Sequence, residues 1–187
     1  MTSITVAINT PRAFAACESS YAAGRLVGVW VDAVDAADAT AEQIHAGSGV
    51  DPVAEGCEEF VCMDTDGLPV SGEPSLEEAA RWGEIYEEVG DTQWPALCAW
   101  VRSGSYIAEG NTDHPDLVAF EEAYAGCWDS FADYAEDLAE GCGLLEAVPE
   151  ELRSYVDIRG AWARDLAFDY SVETADCGGV YVFRSLW

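Results

Sequence analysis

The stretch Asp169-Tyr-Ser-Val-Glu-Thr-Ala-Asp176-Cys-Gly-Gly179-Val-Tyr-Val-Phe-Arg184 decides the fold class. Residues 169–174 and 179–184 are β-rich runs, and Asp176-Cys-Gly-Gly179 between them is a hairpin signal. The patterns just upstream are helical. Pro149 suits the first turn of a short helix ending near Tyr155, and another helix fits 158–167. Ser130 is a good N-cap for a helix over 131–141, whose buried stripe is Phe131, Tyr134, Ala135, Leu138 and Cys142. The run 120–128 reads equally as a helix end or a strand. Antiparallel strands grouped apart from helices make an α+β chain.

Further upstream, Ser75-Leu-Glu-Glu78 is a capping-box pattern. The helix after it places Leu76, Ala79, Trp82, Tyr86 and Val89 on one face. A second helix fits 93–102, residues 103–114 read as a loop, and a third helical segment begins near Asp116. Toward the N-terminus, 3–9, 26–33 and 58–63 read as strands. A helix over 39–46 ends at Gly47, and Asp64-Thr-Asp66-Gly67 reads as a turn. Three small domains are expected: an N-terminal α+β domain with a three-stranded antiparallel sheet (1–74), a helical middle domain (75–119), and a C-terminal α+β domain with a short sheet and three helices (120–187). No internal repeat or low-complexity tract interrupts them.

The charge is extreme. Of 187 residues, 36 are Asp or Glu and 8 are basic, for a net charge of −28. Every basic residue is arginine. A small domain is ordinarily designed with a net charge of roughly 2–8 in magnitude. With so few cations, binding to nucleic acid or to an anionic membrane through a basic patch is excluded. With 50% hydrophobic and 11% aromatic residues, the chain is not an acidic disordered polymer. No stretch approaches a membrane span, residues 1–20 lack a signal-peptide pattern, and a cytoplasmic setting is expected.

The acidic residues run in blocks, with no basic residue between Arg25 and Arg81 or between Arg102 and Arg153. In the 131–141 helix, Asp133, Glu136, Asp137 and Glu140 line the face opposite the apolar stripe. Glu77, Glu84 and Glu88 form a similar row on the earlier helix, relieved by Arg81. Like charges at this spacing destabilise an isolated helix by roughly 0.2–0.5 kcal/mol per pair. Two explanations compete. One is adaptation to high salt in an acidic housekeeping binding module, which composition alone favours because a charge run is usually a solvated face. The other is imitation of a polyanion. Duplex DNA carries one charge per about 1.7 Å, so 28 charges correspond to roughly 48 Å, or about 14 base pairs.

Catalytic material is sparse. Without lysine there is no Schiff base and no P-loop, and G-x-S-x-G, H-E-x-x-H and G-x-G-x-x-G are all missing. His45 and His114 read as ordinary surface residues. A metal-dependent or carboxylate-pair hydrolase stays open only because carboxylates are abundant. The cysteines at 17, 57, 62, 98, 127, 142 and 177 contain no C-x-x-C and read as reduced thiols, mostly buried. A zinc site would need a histidine to meet distant cysteines, and the spacing does not suggest one. No catalytic residue, metal or cofactor is expected.

A longer pattern points to a family. Tyr21-Ala-Ala-Gly24-Arg25-Leu26-Val-Gly28-Val-Trp30-Val31-Asp32 resembles the opening of the ArdA antirestriction proteins, in which a strand, a Tyr-x-x-Gly turn and a Gly-x-Trp strand follow in order. The likeness is stronger in Tyr134-Ala135, in Gly141-Cys-Gly143-Leu144-Leu145, in Val148-Pro149-Glu-Glu-Leu152-Arg-Ser-Tyr155-Val156-Asp157 and in Ala161-Trp162-Ala163-Arg164-Asp165-Leu166. Glu58-Glu59-Phe60-Val61 leading to Asp64 is a shorter match. The stretch 90–118 departs from the pattern.

The resemblance implies an elongated, three-domain, dimeric mimic of bent B-form DNA that is not an enzyme. Such a protein occupies the DNA groove of type I restriction–modification enzymes and protects mobile DNA. Its acidic surface would include Asp32, Asp35, Asp38, Glu77, Glu84, Glu87, Glu88, Glu121, Glu122, Asp129, Asp133, Glu136, Asp137 and Glu140. The family's antirestriction signature falls on 144–158, where relatives dimerise, so Leu144, Leu145, Val148, Leu152 and Tyr155 become interface candidates. Packing of these residues within one chain is the competing expectation.

Overall fold

The structure is a computed structural model that describes residues 10–54, 56–176 and 178–186. The strand expected over 3–9 lies outside them. The described residues are α+β and carry two three-stranded antiparallel sheets. They form two compact units, one ending at Trp94 and the other beginning at Pro95. That boundary falls inside the stretch 75–119.

The first sheet has the order β2-β1-β3, with β1 at Arg12–Cys17, β2 at Gly28–Asp32 and β3 at Phe60–Asp66. Its central strand was not anticipated. Ala13, Ala15, Ala16 and Cys17 are completely buried and Arg12 and Phe14 half-buried, so the apolar run Ala13–Cys17 shows no polar alternation to read, and alanine has little strand preference. Pairing with β3 shifts between Phe14 and Ala15, leaving Met63 as a bulged residue. The turn expected at Asp64–Gly67 is corrected, because the strand continues through Asp66.

Short α1 (Glu18–Ala22) follows β1, and a 3-10 segment, Ala33–Asp38, follows β2. In α2 (Ala41–His45), Thr40 and Gln43 form a full reciprocal capping box. α3 (Leu76–Val89) starts where expected, with Ser75 Oγ accepting from the Glu78 amide at 3.1 Å. Its buried face is Leu76, Ala79, Ala80, Trp82, Gly83 and Ile85, while Tyr86 and Val89 are half-buried. This face rests on the 3-10 segment so closely that a Cβ on Gly83 would lie 2.1 Å from the Val34 nitrogen. The Trp94 indole donates to the Gly67 carbonyl at 3.1 Å and anchors the end of this unit.

α4 (Trp94–Ser103) crosses the boundary between the units. In the second unit, α5 (Leu117–Ala123) is capped by Asp116 and leads directly into β4 (Tyr124–Trp128). The ambiguous run 120–128 is therefore helix end and strand in succession. β4-β6-β5 form the second sheet, with β5 at Tyr170–Thr174 and β6 at Val180–Arg184 forming the expected hairpin. Trp100, Phe120 and Phe183 fill its core, with Trp100 and Phe183 stacked at 6.1 Å.

α6 spans Phe131–Gly141, as its N-cap and stripe foretold. Tyr134, Ala135 and Ala139 are buried, but Cys142 is exposed and does not belong to the stripe. Trp128, Phe131, Tyr134 and Tyr170 pack as a ring cluster, and the Tyr134 and Tyr170 hydroxyls meet at 2.9 Å. Short α7 covers Glu150–Arg153. The helix expected over 158–167 is a wide π-type turn (Ile158–Trp162) running into α8 (Ala163–Leu166) and a 3-10 turn.

His45 is the clearest correction. Expected at the surface, it is 5% exposed. No disulfide joins the described cysteines: Cys17, Cys57, Cys62 and Cys98 are buried, and Cys127 and Cys142 are exposed.

Candidate functional site

Apolar anchoring decides which way the carboxylates face. Because the aromatic cluster holds one side of α6 against the sheet, Glu136, Asp137 and Glu140 are turned to solvent and Asp133 is half-buried at its edge. Not all of this row is uncompensated. Arg159, carried on the wide turn, donates from one Nη1 to Asp133 Oδ1 at 2.6 Å and to Glu136 Oε2 at 2.7 Å. The Ser130 hydroxyl and then the Arg159 guanidinium hold the Asp133 carboxyl below its ordinary range. Asp137 and Glu140 make no ion pair among the described residues.

In the first unit, α3 exposes Glu77, Glu84, Glu87 and Glu88. Arg81 Nη1 reaches Glu84 Oε2 at 2.9 Å, the relief expected from their spacing. Asp32, Asp35 and Asp38 are exposed and line one surface concavity of about 450 Å³ with Trp30, Val31 and Gln43. The strand end and the 3-10 segment bring these three together. Arg12 stacks over Trp30 and approaches Asp32 only at 4.0 Å. Glu121 and Glu122 on α5, and Asp129 ahead of α6, are also exposed.

Sequence reasoning missed two features of this surface. One is the bridging role of Arg159, which is remote from α6 along the chain. The other is a like-charge contact between Glu18 and Glu59, brought together where β1 and β3 end in register. Close contact and repulsion from Glu59 raise the Glu18 carboxyl above its ordinary range. The signal for this pairing was the strand register, which could not be read while β1 was unrecognised.

The segment 144–156 leaves several large apolar side chains uncovered. Tyr155 is 83% exposed and Leu152 is 51% exposed, Leu144 and Val156 are also exposed, and Leu145 and Val148 are half-buried. α7 contributes no buried residue. Packing within the chain therefore does not account for Leu152 or Tyr155. Local bonds hold the segment in shape, including Arg153 Nε donating to the Val148 carbonyl at 3.0 Å.

The residues suited to hold a metal lie elsewhere, in the interior of the first unit, where Cys17, His45 and Cys57 converge. Among the described residues, no helix is long and apolar enough to cross a membrane.

Comparison with curated proteins found no match. The family model described as antirestriction protein (ArdA) matches residues 13–181, most of the chain. That span takes in most of both sheets, the acidic rows of α3 and α6 and the uncovered 144–156 segment: the chain belongs to the ArdA family of antirestriction proteins.

Proposed function

We propose that this protein blocks restriction by imitating bent B-form DNA, occupying the DNA groove of a type I restriction–modification enzyme in competition with DNA. The observation that carries the reading is the outward display of carboxylates in rows on α3, α6 and the Asp32–Asp38 segment, in a chain of net charge −28. A groove that binds duplex DNA is lined with arginine and lysine. A helix row offers it a negative charge every 5–6 Å or so, a coarse copy of the phosphate ladder. No bond is made or broken. Opposite fields steer the encounter, and binding weakens as salt rises. Exposed pairs contribute roughly 0–1 kcal/mol each, so affinity comes from many contacts and from shape.

The working form is a homodimer joined through Leu144, Leu145, Val148, Leu152 and Tyr155. The exposure of Leu144, Leu152 and Tyr155 supports this, because large apolar side chains left uncovered close together along the chain mark a candidate interaction site. Membership of an antirestriction family does not favour the salt-adapted housekeeping module.

The test is displacement of a labelled cognate duplex from a purified type I enzyme, followed by anisotropy. The protein should displace the duplex at low salt and lose potency as salt is raised. Unchanged DNA binding at low salt would refute the proposal. So would undiminished displacement by a folded variant in which Glu77, Glu84, Glu87, Glu88, Glu136 and Glu140 are all glutamine and Asp137 is asparagine.

A further inference from the structure

We propose that Cys17, His45 and Cys57 form a binding site for one zinc ion inside the first unit, a site separate from the acidic surface and independent of the function argued above. One sulfur or nitrogen ligand atom from each residue lies within 4.8 Å of the other two. Around a tetrahedral ion with Zn–S near 2.3 Å and Zn–N near 2.0–2.1 Å, ligand atoms stand roughly 3.6–3.8 Å apart. The cluster needs only a small contraction to close on the metal. Two sulfurs and an imidazole are the donor set that selects zinc over magnesium or calcium, which want oxygen. The fourth position falls to a water.

The surroundings point to a ligand. Cys17, His45 and Cys57 are 0%, 5% and 8% exposed. Both ring nitrogens of His45 are buried without a hydrogen-bond partner. Folded chains rarely leave such atoms uncompensated, and a metal would compensate an imidazole nitrogen that lies within 4.8 Å of two sulfurs. A local bond seats the Cys17 sulfur, which accepts from the Ser20 amide at 3.4 Å.

The position in the fold gives the ion a task. Cys17 ends the central strand β1, His45 ends α2, and Cys57 stands just before β3. The connection 46–59 contains no helix or strand among its described residues, and connections of that length are uncommon in compact domains. His45 opens it and Cys57 nearly closes it. Each is seated by a local turn: Ser48 donates to the His45 carbonyl at 2.8 Å, and the Cys57 amide donates to the Pro52 carbonyl at 2.9 Å. A shared ion would clip both ends of the connection to the sheet, and closing long loops is where such a clip is most effective.

The test uses the full chain, purified without chelator. Its zinc content should be one equivalent per chain after extensive dialysis. Cobalt(II) added to the metal-free protein should give the charge-transfer absorption of thiolate ligation and the visible bands of tetrahedral cobalt. Losing an outer-shell partner of a metal site costs 10–100-fold in affinity, so His45→Gln and Cys57→Ser should each weaken cobalt and zinc binding at least tenfold. A Cys127→Ser, Cys142→Ser double variant should bind as the wild type does. The proposal is overturned if the wild type holds no stoichiometric zinc and gives no charge-transfer band. It is also overturned if peptide mapping finds a Cys17–Cys57 disulfide in fresh protein, or if the His45 and Cys57 variants bind metal undiminished. Should a ligand variant fail to fold, the wild-type cobalt spectrum decides.

Discussion

Replacing Gly83 by alanine probes the contact that sets the acidic 3-10 segment against α3. An added Cβ would lie 2.1 Å from the Val34 nitrogen, 2.4 Å from Val34 Cα and 2.6 Å from the Ala33 carbonyl carbon. All three are backbone atoms, so no side-chain rotation relieves the clash. Restoring an ordinary separation of about 3.5 Å requires the segment to retreat by more than about 1 Å. Overpacking of this kind costs about 1–3 kcal/mol, here at the upper end. The helix preference of alanine over glycine offsets about 1 kcal/mol of it. The net loss is about 2 kcal/mol, or about 4–8 °C in melting temperature for a chain of this size. Gly141→Ala is the control. Gly141 ends α6 with open space around its Cβ position, so the same exchange there should be neutral or stabilising by up to about 1 kcal/mol. Thermal and urea unfolding followed by circular dichroism compare the two. Because Asp35 and Asp38 ride on the displaced segment, Gly83→Ala should also lose potency in the DNA-displacement assay well below its melting point. A Gly83→Ala protein as stable as the wild type would refute the close approach.

Arg159→Gln should lower the melting temperature near neutrality. Asp133 has a depressed carboxyl pKa in the folded protein, so the stability it contributes is present above about pH 4 and lost as pH falls through the folded value. The deficit of the variant should therefore shrink on acidification, and a deficit that widened would contradict the assignment. Glu59→Gln should do the reverse of harm. Glu18 is raised by Glu59, so the strain is absent in acid and sets in as pH rises through the raised value. The variant should melt higher than the wild type at pH 7 and equally below about pH 4, as read from melting curves across pH. Leu152→Ala with Tyr155→Ala should shift sedimentation equilibrium from dimer toward monomer without changing the circular dichroism. A dimer of unchanged strength would remove these residues from the interface.

Local patterns were legible wherever one face of an element meets the core and the other meets water. The α6 boundaries, its Ser130 cap and its outward carboxylates followed from spacing, as did the start of α3 and the C-terminal hairpin. β1 was illegible because Ala13–Cys17 is an unbroken apolar run, three of its five residues alanine, with no polar alternation to detect. With β1 unread, the register that joins Glu18 to Glu59 was hidden, and so was the end of the strand on which Cys17 stands. The helix expected over 158–167 failed differently. The Asp157 carboxylate caps the Gly160 and Ala161 amides, and the Trp162 amide donates to the Asp157 carbonyl five residues back, a π-type closure that apolar spacing does not register.

By itself, the amino-acid sequence determined the sign and density of charge, the α+β class, the helix faces and the family likeness. Each of these is a property of composition or of residues near one another along the chain. Tertiary structure alone decided that Arg159 is shared by Asp133 and Glu136, that Tyr155 is left uncovered, and that His45 lies buried beside Cys17 and Cys57. These pairings join residues far apart in sequence, and the energy that selects them comes from packing the core, which no local period records.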